Sequence, residues 1–289
     1  MPTKIEKDTV SGQDTTGHVW DGIKELNTPL PTWWVYVLYA TVVWSLAQFV
    51  IYPSFPGITG YFSGLVGYSA RGELTSKMQA AAQARAPFLD RIRSSSLDDI
   101  RNTPELLGYA VSGGRVAFAE NCAACHQAGG AGTKGYPNLA DDDWLWGGKL
   151  ADIQKTIQVG IRSAHPDTRT SLMPRFGTDG ILERKQIEDV AEFVLSLSGK
   201  STDTASAGRG RALYAENCVS CHGERGTGQR DVGAPSLADG IWLFGGDKAS
   251  VVRSISEGRG SVMPTWSERL DPAVVKMLTI YVHTLGGGE

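Results

Sequence analysis

The sequence predicts an all-α protein with one N-terminal membrane-spanning helix followed by two small helical domains. Three observations lead to this prediction: an uncharged apolar run near the N-terminus, a long segment that occurs twice, and an amphipathic helix pattern that closes each copy. The 289 residues are enough for about two domains. A net charge of −3 lacks the basic excess typical of nucleic-acid-binding proteins, so we expect no nucleic-acid partner.

The apolar run occupies residues 33–51, WWVYVLYATVVWSLAQFVI, and no charged residue occurs between Glu25 and Arg71. About 20 apolar residues span a bilayer as a helix. We therefore predict a transmembrane helix at residues 31–52, after an N-terminal segment at residues 1–30.

Two alternatives for this run fit less well. A buried core helix is disfavoured by the length of the uninterrupted apolar stretch. A cleaved signal peptide is disfavoured because the first 25 residues contain three lysines against five acids rather than a basic region. Residues 53–103 begin with a proline- and glycine-rich apolar stretch, then become polar and alanine-rich. We predict an interfacial segment followed by a solvated helical stalk.

A short segment is repeated in the second half of the chain. GRVAFAENC at residues 114–122 runs into CAACH, and GRALYAENC at residues 210–218 runs into CVSCH. C-x-x-C-H is typical of covalent haem c attachment, in which two thiols bond the porphyrin and the adjacent histidine binds iron. A zinc site, a dithiol redox site or a disulfide framework would not explain why a histidine follows both pairs.

The two motifs contain all four cysteines of the chain. We therefore predict two haem c groups, one attached to Cys122 and Cys125 with His126 as axial ligand, the other attached to Cys218 and Cys221 with His222 as axial ligand.

Methionine is the expected sixth ligand because it raises the reduction potential of the iron. Met173 and Met263 each precede a proline, in SLMPRF and SVMPTW, and lie 51 and 45 residues after the first cysteine of the two motifs. Met277 lies on the apolar stripe of a predicted helix, which indicates a core position, and Met78 precedes both motifs. His165 is a possible rival ligand without a counterpart in the second copy.

The repeat extends beyond the haem motifs. PNLADDDWLWGG corresponds to PSLADGIWLFGG, and Gly160 and Gly258 follow, with Arg162 and Arg259 close behind. Amphipathic helices are predicted at residues 186–198 and 273–285. The predicted domains are residues 104–200 and 205–289. Each is expected to contain a helix that enters the haem motif (112–121 and 208–217), a loop around the porphyrin and its own closing helix. The polar residues 200–209 are predicted to be a linker.

Taken together, these motifs resemble a known family. The tandem C-x-x-C-H repeats are similar to class I cytochrome c domains. DGIKELNTPLPTWWVYVLY at residues 21–39 and DDDWLWGG at 141–148 are the more specific part. The whole chain resembles the dihaem subunit family (CcoP or FixP) of cbb3-type cytochrome c oxidases.

The resemblance implies an electron-transfer subunit that is not itself catalytic. Electrons from a donor cytochrome c or the bc1 complex would pass through this chain and a monohaem cytochrome c subunit to the haem–copper subunit that reduces oxygen. It also implies a single-pass protein of the bacterial inner membrane. The positive-inside rule alone would place the haem domains in the cytoplasm, because residues 53–103 carry six basic and four acidic side chains. Since haem c is attached in the periplasm, we expect a cytoplasmic N-terminus and periplasmic haem domains.

Alternatives remain at this point. The chain could be a free-standing, membrane-anchored dihaem carrier, or an enzyme such as a dihaem peroxidase or a sulfur-compound dehydrogenase. An enzyme of that kind needs an open iron or an unusual ligand, which two methionine candidates disfavour. The resemblance also makes crossed ligation an option, in which Met173 serves the second haem and Met263 the first.

Overall fold

The computed structural model describes residues 4–289 and has the mostly helical fold that the sequence predicts. It contains two compact units, Met1–Gln83 and Ala84–Glu289. The elements in chain order are β1 Thr15–Trp20, β2 Ile23–Leu26, α1 Thr32–Ile51, α2 Ala70–Ser94, α3 Leu97–Asn102, α4 Pro104–Asn121, α5 Ala123–His126, α6 Leu150–Val159, α7 Arg184–Leu197, α8 Thr204–Asn217, α9 Val219–His222, α10 Lys248–Glu257 and α11 Pro272–His283.

The N-terminal unit begins with a small antiparallel hairpin, which the all-α prediction missed. Strands β1 and β2 are joined by Asp21 and Gly22, whose φ angles are 49° and 87°. A two-residue turn with both φ angles positive favours the Asp-Gly pair. The dipeptide was visible in the sequence, but the flanking strands are short and polar.

Helix α1 starts after Pro31 and ends before an extended Tyr52. Its 20 residues make it about 30 Å long, the thickness of the hydrocarbon core of a membrane. None of its side chains is buried within the structure, and its mean hydropathy is 1.7. The helix is therefore long and apolar enough to cross a membrane.

The expected stalk is helical, but its C-terminal end is not solvated. Ile92 on α2 and Ile100 on α3 are fully buried, in a cluster with Leu106, Met277 and Ile280. We had predicted a solvated spacer over this stretch, and for these residues that prediction is wrong. The reason is that the exposed charges of α2 and α3 surround two isoleucines that share the face turned towards α4 and α11.

Helices α4–α11 form two lobes whose composition does not follow the sequence repeats. Helix α4 packs against α11, and α11 also packs against α6. Helix α8 packs against α7, and α7 also packs against α10. We call α4, α5, α6 and α11 the first lobe, and α7, α8, α9 and α10 the second lobe.

The closing helices are thus exchanged, whereas we expected each repeat to close with its own helix. The apolar stripes predicted on the closing helices are present: Ile187, Val190 and Val194 are buried on α7, as are Met277, Leu278 and Val282 on α11. Helix α8 begins at Thr204, capped by the Asp203 side chain, so the predicted linker is partly helical. The short connection between α7 and α8 keeps these two helices side by side.

The repeated glycine before each haem motif explains the close crossing of the helices. A Cβ on Gly114 would overlap the carbonyl oxygen of Met277 on α11, and a Cβ on Gly210 would overlap that of Asp189 on α7. Only glycine allows the backbones to approach this closely. The crossing fixes where α4 and α8 deliver the cysteines that follow them.

Candidate functional site

Each haem motif continues its helix through a bend and one further helical turn. Cys122 ends α4, and its carbonyl accepts hydrogen bonds from the backbone N–H groups of Cys125 at 3.1 Å and His126 at 2.9 Å. Cys218 does the same for Cys221 at 3.2 Å and His222 at 2.9 Å. Residues three and four apart lie on the same face of a helical turn. Both thiols and the imidazole of each motif therefore emerge on one side.

The imidazoles of both motifs are held in the same way. The Nδ1 atom of His126 lies 3.0 Å from the carbonyl oxygen of Pro137, and that of His222 lies 3.0 Å from the carbonyl of Pro235. Since a carbonyl only accepts, these contacts require a proton on Nδ1 and leave the Nε2 lone pair free for a metal. Burial lowers the pKa of both histidines, although the Pro137 and Pro235 carbonyls oppose the shift.

None of the four cysteines forms a disulfide. Burial raises the pKa of Cys122 and of Cys218 to about 11, and the partner cysteine of each motif adds to the shift. At neutral pH these two groups therefore remain protonated.

A continuous cavity of about 1960 Å³, which includes its opening to solvent, joins the two lobes. Its walls are mostly apolar. The structure brings all eight predicted site residues to this one cavity: Cys122, Cys125, His126, Met173, Cys218, Cys221, His222 and Met263.

The methionines follow the exchange of the closing helices. Met173 packs against the second-lobe cluster, which also includes Tyr214 and Cys218. Met263 packs against the first-lobe cluster, which also includes Phe118 and Cys122. Each methionine therefore lies with the haem motif of the other repeat.

The other candidate ligands lie elsewhere. Met277 is buried in the first-lobe core with 5% of its surface exposed, which confirms the core prediction, and Met78 is 58% exposed on α2. The Nδ1 atom of His165 accepts a hydrogen bond from the backbone of Asp167, and His165 is not among the residues that line the cavity.

Backbone hydrogen bonds hold the methionine segments in place. Ile161 and Met263 exchange two N–H···O bonds of 2.9 and 3.0 Å, and the Met173 N–H donates to the carbonyl of Arg259 at 3.3 Å. Gly160 and Gly258, both at a φ of 69°, end α6 and α10. A Cβ on either would crowd the methionine segment beside it.

Sequence reasoning paired the wrong arginines. We matched Arg162 with Arg259, but the structure shows that Arg169 and Arg259 are equivalent. Arg169 lies 4.9 Å from the ring centre of Trp146, and its Nε donates to Thr156 Oγ1.

Arg259 repeats this arrangement in the second lobe. It lies 4.4 Å from the ring centre of Phe244, and its Nε donates to Ser254 Oγ. The signal was present in the sequence as Arg-x-Ser-x-Met-Pro in both repeats. The residues inserted after Gly160 obscured it.

The residues present fit covalently attached haem. The donors are two thiols and one neutral imidazole per motif, facing an apolar cavity. Trp242, which lines the cavity, has a buried Nε1 without a hydrogen-bond partner among residues 4–289, and the same holds for Nη2 of Arg169. Such buried donors suit a group that carries carboxylates.

Comparisons with known proteins give a consistent result. The family model described as the N-terminal domain of cytochrome oxidase-cbb3, FixP, matches residues 12–59. The cytochrome c model matches residues 111–198, and the model for cbb3-type cytochrome c oxidase subunit III matches residues 205–282.

Full-length relatives are also similar. The chain is 53% identical to a cbb3-type cytochrome c oxidase subunit CcoP of Azospirillum brasilense, over 98% of this chain and 99% of that protein. It is 49% identical to subunit FixP of Bradyrhizobium sp. (strain ORS 278) and 46% identical to subunit CcoP of Cereibacter sphaeroides, in both cases over 100% of each chain.

Proposed function

We propose an electron route for this chain, which belongs to the CcoP/FixP family of cbb3-type cytochrome c oxidase subunits. It is an electron-transfer cytochrome c subunit of that oxidase, with covalently bound haem c. The finer proposal is that it holds two haem c groups. The observation that carries this proposal is the shared cavity, which both C-x-x-C-H motifs line.

We further propose that the iron ligands are crossed between the repeats. His126 would pair with Met263 in the first lobe, and His222 with Met173 in the second. The packing of each methionine with the cysteines of the other repeat supports this pairing. Residues 104–200 and 205–289 are then repeats of sequence, and each lobe takes parts from both.

Bound haem c would supply a reversible one-electron iron couple. The chain's own residues hold it rigidly: cysteines fix the ring, the proline carbonyls orient His126 and His222, and methionine would raise the potential. The apolar walls of the cavity would exclude water and so lower the reorganisation energy of electron transfer. With both axial positions filled, no position would remain for oxygen, so we propose a relay role without catalysis in this chain.

The partners follow from the two units. Helix α1 exposes apolar side chains along its whole length, which suits lipid and the helices of other oxidase subunits. We propose that it anchors the chain in the bacterial inner membrane, with a cytoplasmic N-terminus and periplasmic lobes. A donor cytochrome c or bc1 complex would deliver electrons to the lobes. A monohaem subunit and the haem–copper subunit would receive them.

Purification from the native membrane in mild detergent, through a tag on this chain, tests the proposal. We expect haem c, b-type haem and copper to co-purify with oxygen consumption. Two haem c per chain, measured by pyridine haemochrome and mass spectrometry, would support the count. A chain that emerges alone, without copper or oxygen uptake, would instead be the free-standing membrane-anchored carrier.

A further inference from the structure

One arginine contacts both methionine segments at the same position of each. Nε of Arg162 donates to the carbonyl oxygen of Ser261 at 2.7 Å, and its Nη1 donates to the carbonyl of Ser171 at 2.6 Å. Ser171 and Ser261 each lie two residues before a methionine, in RTSLMP and RGSVMP. A single guanidinium therefore spans the segments that lead to Met173 and Met263.

This arginine breaks the internal symmetry of the chain. The stretch from Gly160 to Met173 is longer than the stretch from Gly258 to Met263, and Arg162 lies in the additional part. Because Arg259 corresponds to Arg169, Arg162 has no counterpart in the second repeat. One side chain thus serves two equivalent acceptors.

The backbone around Arg162 is well fixed. Its φ is 51°, in the left-handed region that residues with a Cβ adopt at a cost. Its N–H donates to the carbonyl of Arg169 at 2.7 Å, and the preceding residue, Ile161, is paired with Met263 in both directions. The side chain therefore starts from a fixed point beside the methionine segment of the first lobe.

The chemistry of the guanidinium suits a bridge. It presents several N–H donors in one rigid plane, so two carbonyls can be bound at a fixed separation. Arg162 also lines the cavity, and its partial burial lowers the pKa of the guanidinium. Charge-assisted hydrogen bonds to both carbonyls compensate the loss of water.

We propose that Arg162 is a positioning residue that holds Met173 and Met263 at their irons together, so that the two sixth-ligand positions tighten or loosen as a pair. The proposal rests on the proposed function, namely that both methionines bind iron. It assigns to one side chain a coupling between the two halves of the site.

The test uses the full-length ferric protein and imidazole as a competitor for the methionines. Arg162→Gly removes the side chain and suits the left-handed backbone, so we expect normal haem content and an unchanged thermal midpoint. Loss of a charge-assisted hydrogen bond corresponds to about a tenfold change. We therefore expect imidazole affinity to rise about tenfold at both haems. The loss of the methionine-to-iron absorption band during a titration with imidazole measures this affinity.

Arg259→Gln is the matched control, because among residues 4–289 the hydrogen bond and ring contact of that side chain are with Ser254 and Phe244, both in the second lobe. It should change imidazole affinity at no more than one haem. Met173→His and Met263→His assign the signals, since each removes one methionine band. If neither did so, the proposed ligation would fail, whatever Arg162 does.

Given assigned signals, equal loosening at both haems by Arg162→Gly supports the bridge. A change at one haem only, or no change at either, overturns it. A lower thermal midpoint with unchanged imidazole affinities would also overturn it, because Arg162 would then stabilise the fold without positioning the methionines.

Discussion

The two lobes differ at corresponding positions of their closing helices. On α11 of the first lobe these positions hold Met277 and Ile280, and on α7 of the second lobe they hold Asp189 and Glu192. All four side chains are buried, with Ile280 1% exposed and Glu192 0% exposed. The same helix position therefore accepts an apolar side chain in one lobe and a carboxylate in the other.

The residues packed against each closing helix explain the difference. In the first lobe, Ile92 and Ile100 from the end of the stalk pack against α11, so apolar side chains on α11 meet an apolar surface. Lys276 adds to this contact, because its Nζ donates to the carbonyls of Ile92, Arg93 and Ser95 at 3.3, 2.8 and 2.6 Å and so caps the end of α2.

In the second lobe, ion pairs with Asp189 and Glu192 take the place of the apolar contacts that the stalk makes in the first lobe. Arg209 donates two hydrogen bonds, of 2.9 and 2.7 Å, to the carboxylate of Asp189. Glu192 accepts from Ser201 and from the backbone of Thr202, and Lys248 pairs with it at 2.7 Å. The two lobes therefore share the same arrangement of helices, while the neighbours of each closing helix determine whether its buried side chains are apolar or charged.

The largest expected effect concerns the crossed ligands. Met263→His should lower the potential of the haem attached to Cys122, not of the haem in the same repeat as Met263. The expected fall is roughly 0.2 V, a part of the range over which axial ligands tune haem. Redox titration checks it, with Met277→Leu as a control in the core. A fall confined to the haem on Cys218 would contradict crossed ligation.

The second prediction concerns the buried carboxylate. Glu192→Ala should destabilise the second lobe by about 1–3 kcal/mol, because the hydroxyl and backbone donors around Glu192 lose their acceptor, whereas the half-exposed Lys248 ammonium can be hydrated. Chemical denaturation followed by tryptophan fluorescence measures it. Glu257→Ala is the control, since Glu257 forms an exposed helical pair with Arg253 on α10. A change below about 1 kcal/mol for Glu192→Ala would show that the pairs contribute no more than surface pairs do.

The third prediction is a difference in acid stability. Hydrogen bonds from Arg209 and Lys248 lower the pKa of Asp189 and of Glu192 to about 2, from 3.8 and 4.5. Depressed folded-state pKa values stabilise the fold above pH 4.5 and lose this contribution as the pH falls towards 2.

The second lobe should therefore unfold first in acid. Haem-specific circular dichroism between pH 5 and pH 2 resolves the two lobes. In the variant Glu192→Gln the second lobe should start less stable and depend less on pH. Simultaneous loss of both lobes with an unchanged profile in that variant would contradict the prediction.

The smallest effect concerns two tryptophans. The Trp144 indole N–H donates to the carbonyl of Gly287, whereas the indole N–H of the corresponding Trp242 has no hydrogen-bond partner among residues 4–289. Trp144→Phe should cost about 1 kcal/mol. In the haem-loaded protein Trp242→Phe should shift a haem potential only if its N–H meets a carboxylate of the haem. Thermal unfolding measures the stability loss in Trp144→Phe, and redox titration measures the change of haem potential in Trp242→Phe.

Local chemistry was readable from the sequence. Three features can be recognised from short stretches of sequence: C-x-x-C-H, the paired Met-Pro segments and the uncharged run before Tyr52. The stripe on α11 likewise identified Met277 as a core residue. These features depend on spacing along one helix or loop.

The exchange of α7 and α11 could not be read in the same way. Both helices have the same apolar stripe, and Gly114 and Gly210 provide the same crossing surface, so either pairing satisfies the local pattern. Only the long-range contacts decide. The burial of Ile92 escaped prediction for a related reason, because a single isoleucine in a charged helix gives no periodic signal.

The exchange has a consequence for how the chain is made. The second lobe, from Met173 to Glu257, is continuous, whereas the first needs α4 and also α11, which is synthesised after the whole second lobe. During synthesis from the N-terminus, all helices of the second lobe are present before α11, which the first lobe needs, has been made. A chain cut short after α10 would keep both pairs of cysteines and still lack a closed first lobe. The first lobe can therefore close only after translation has passed α11.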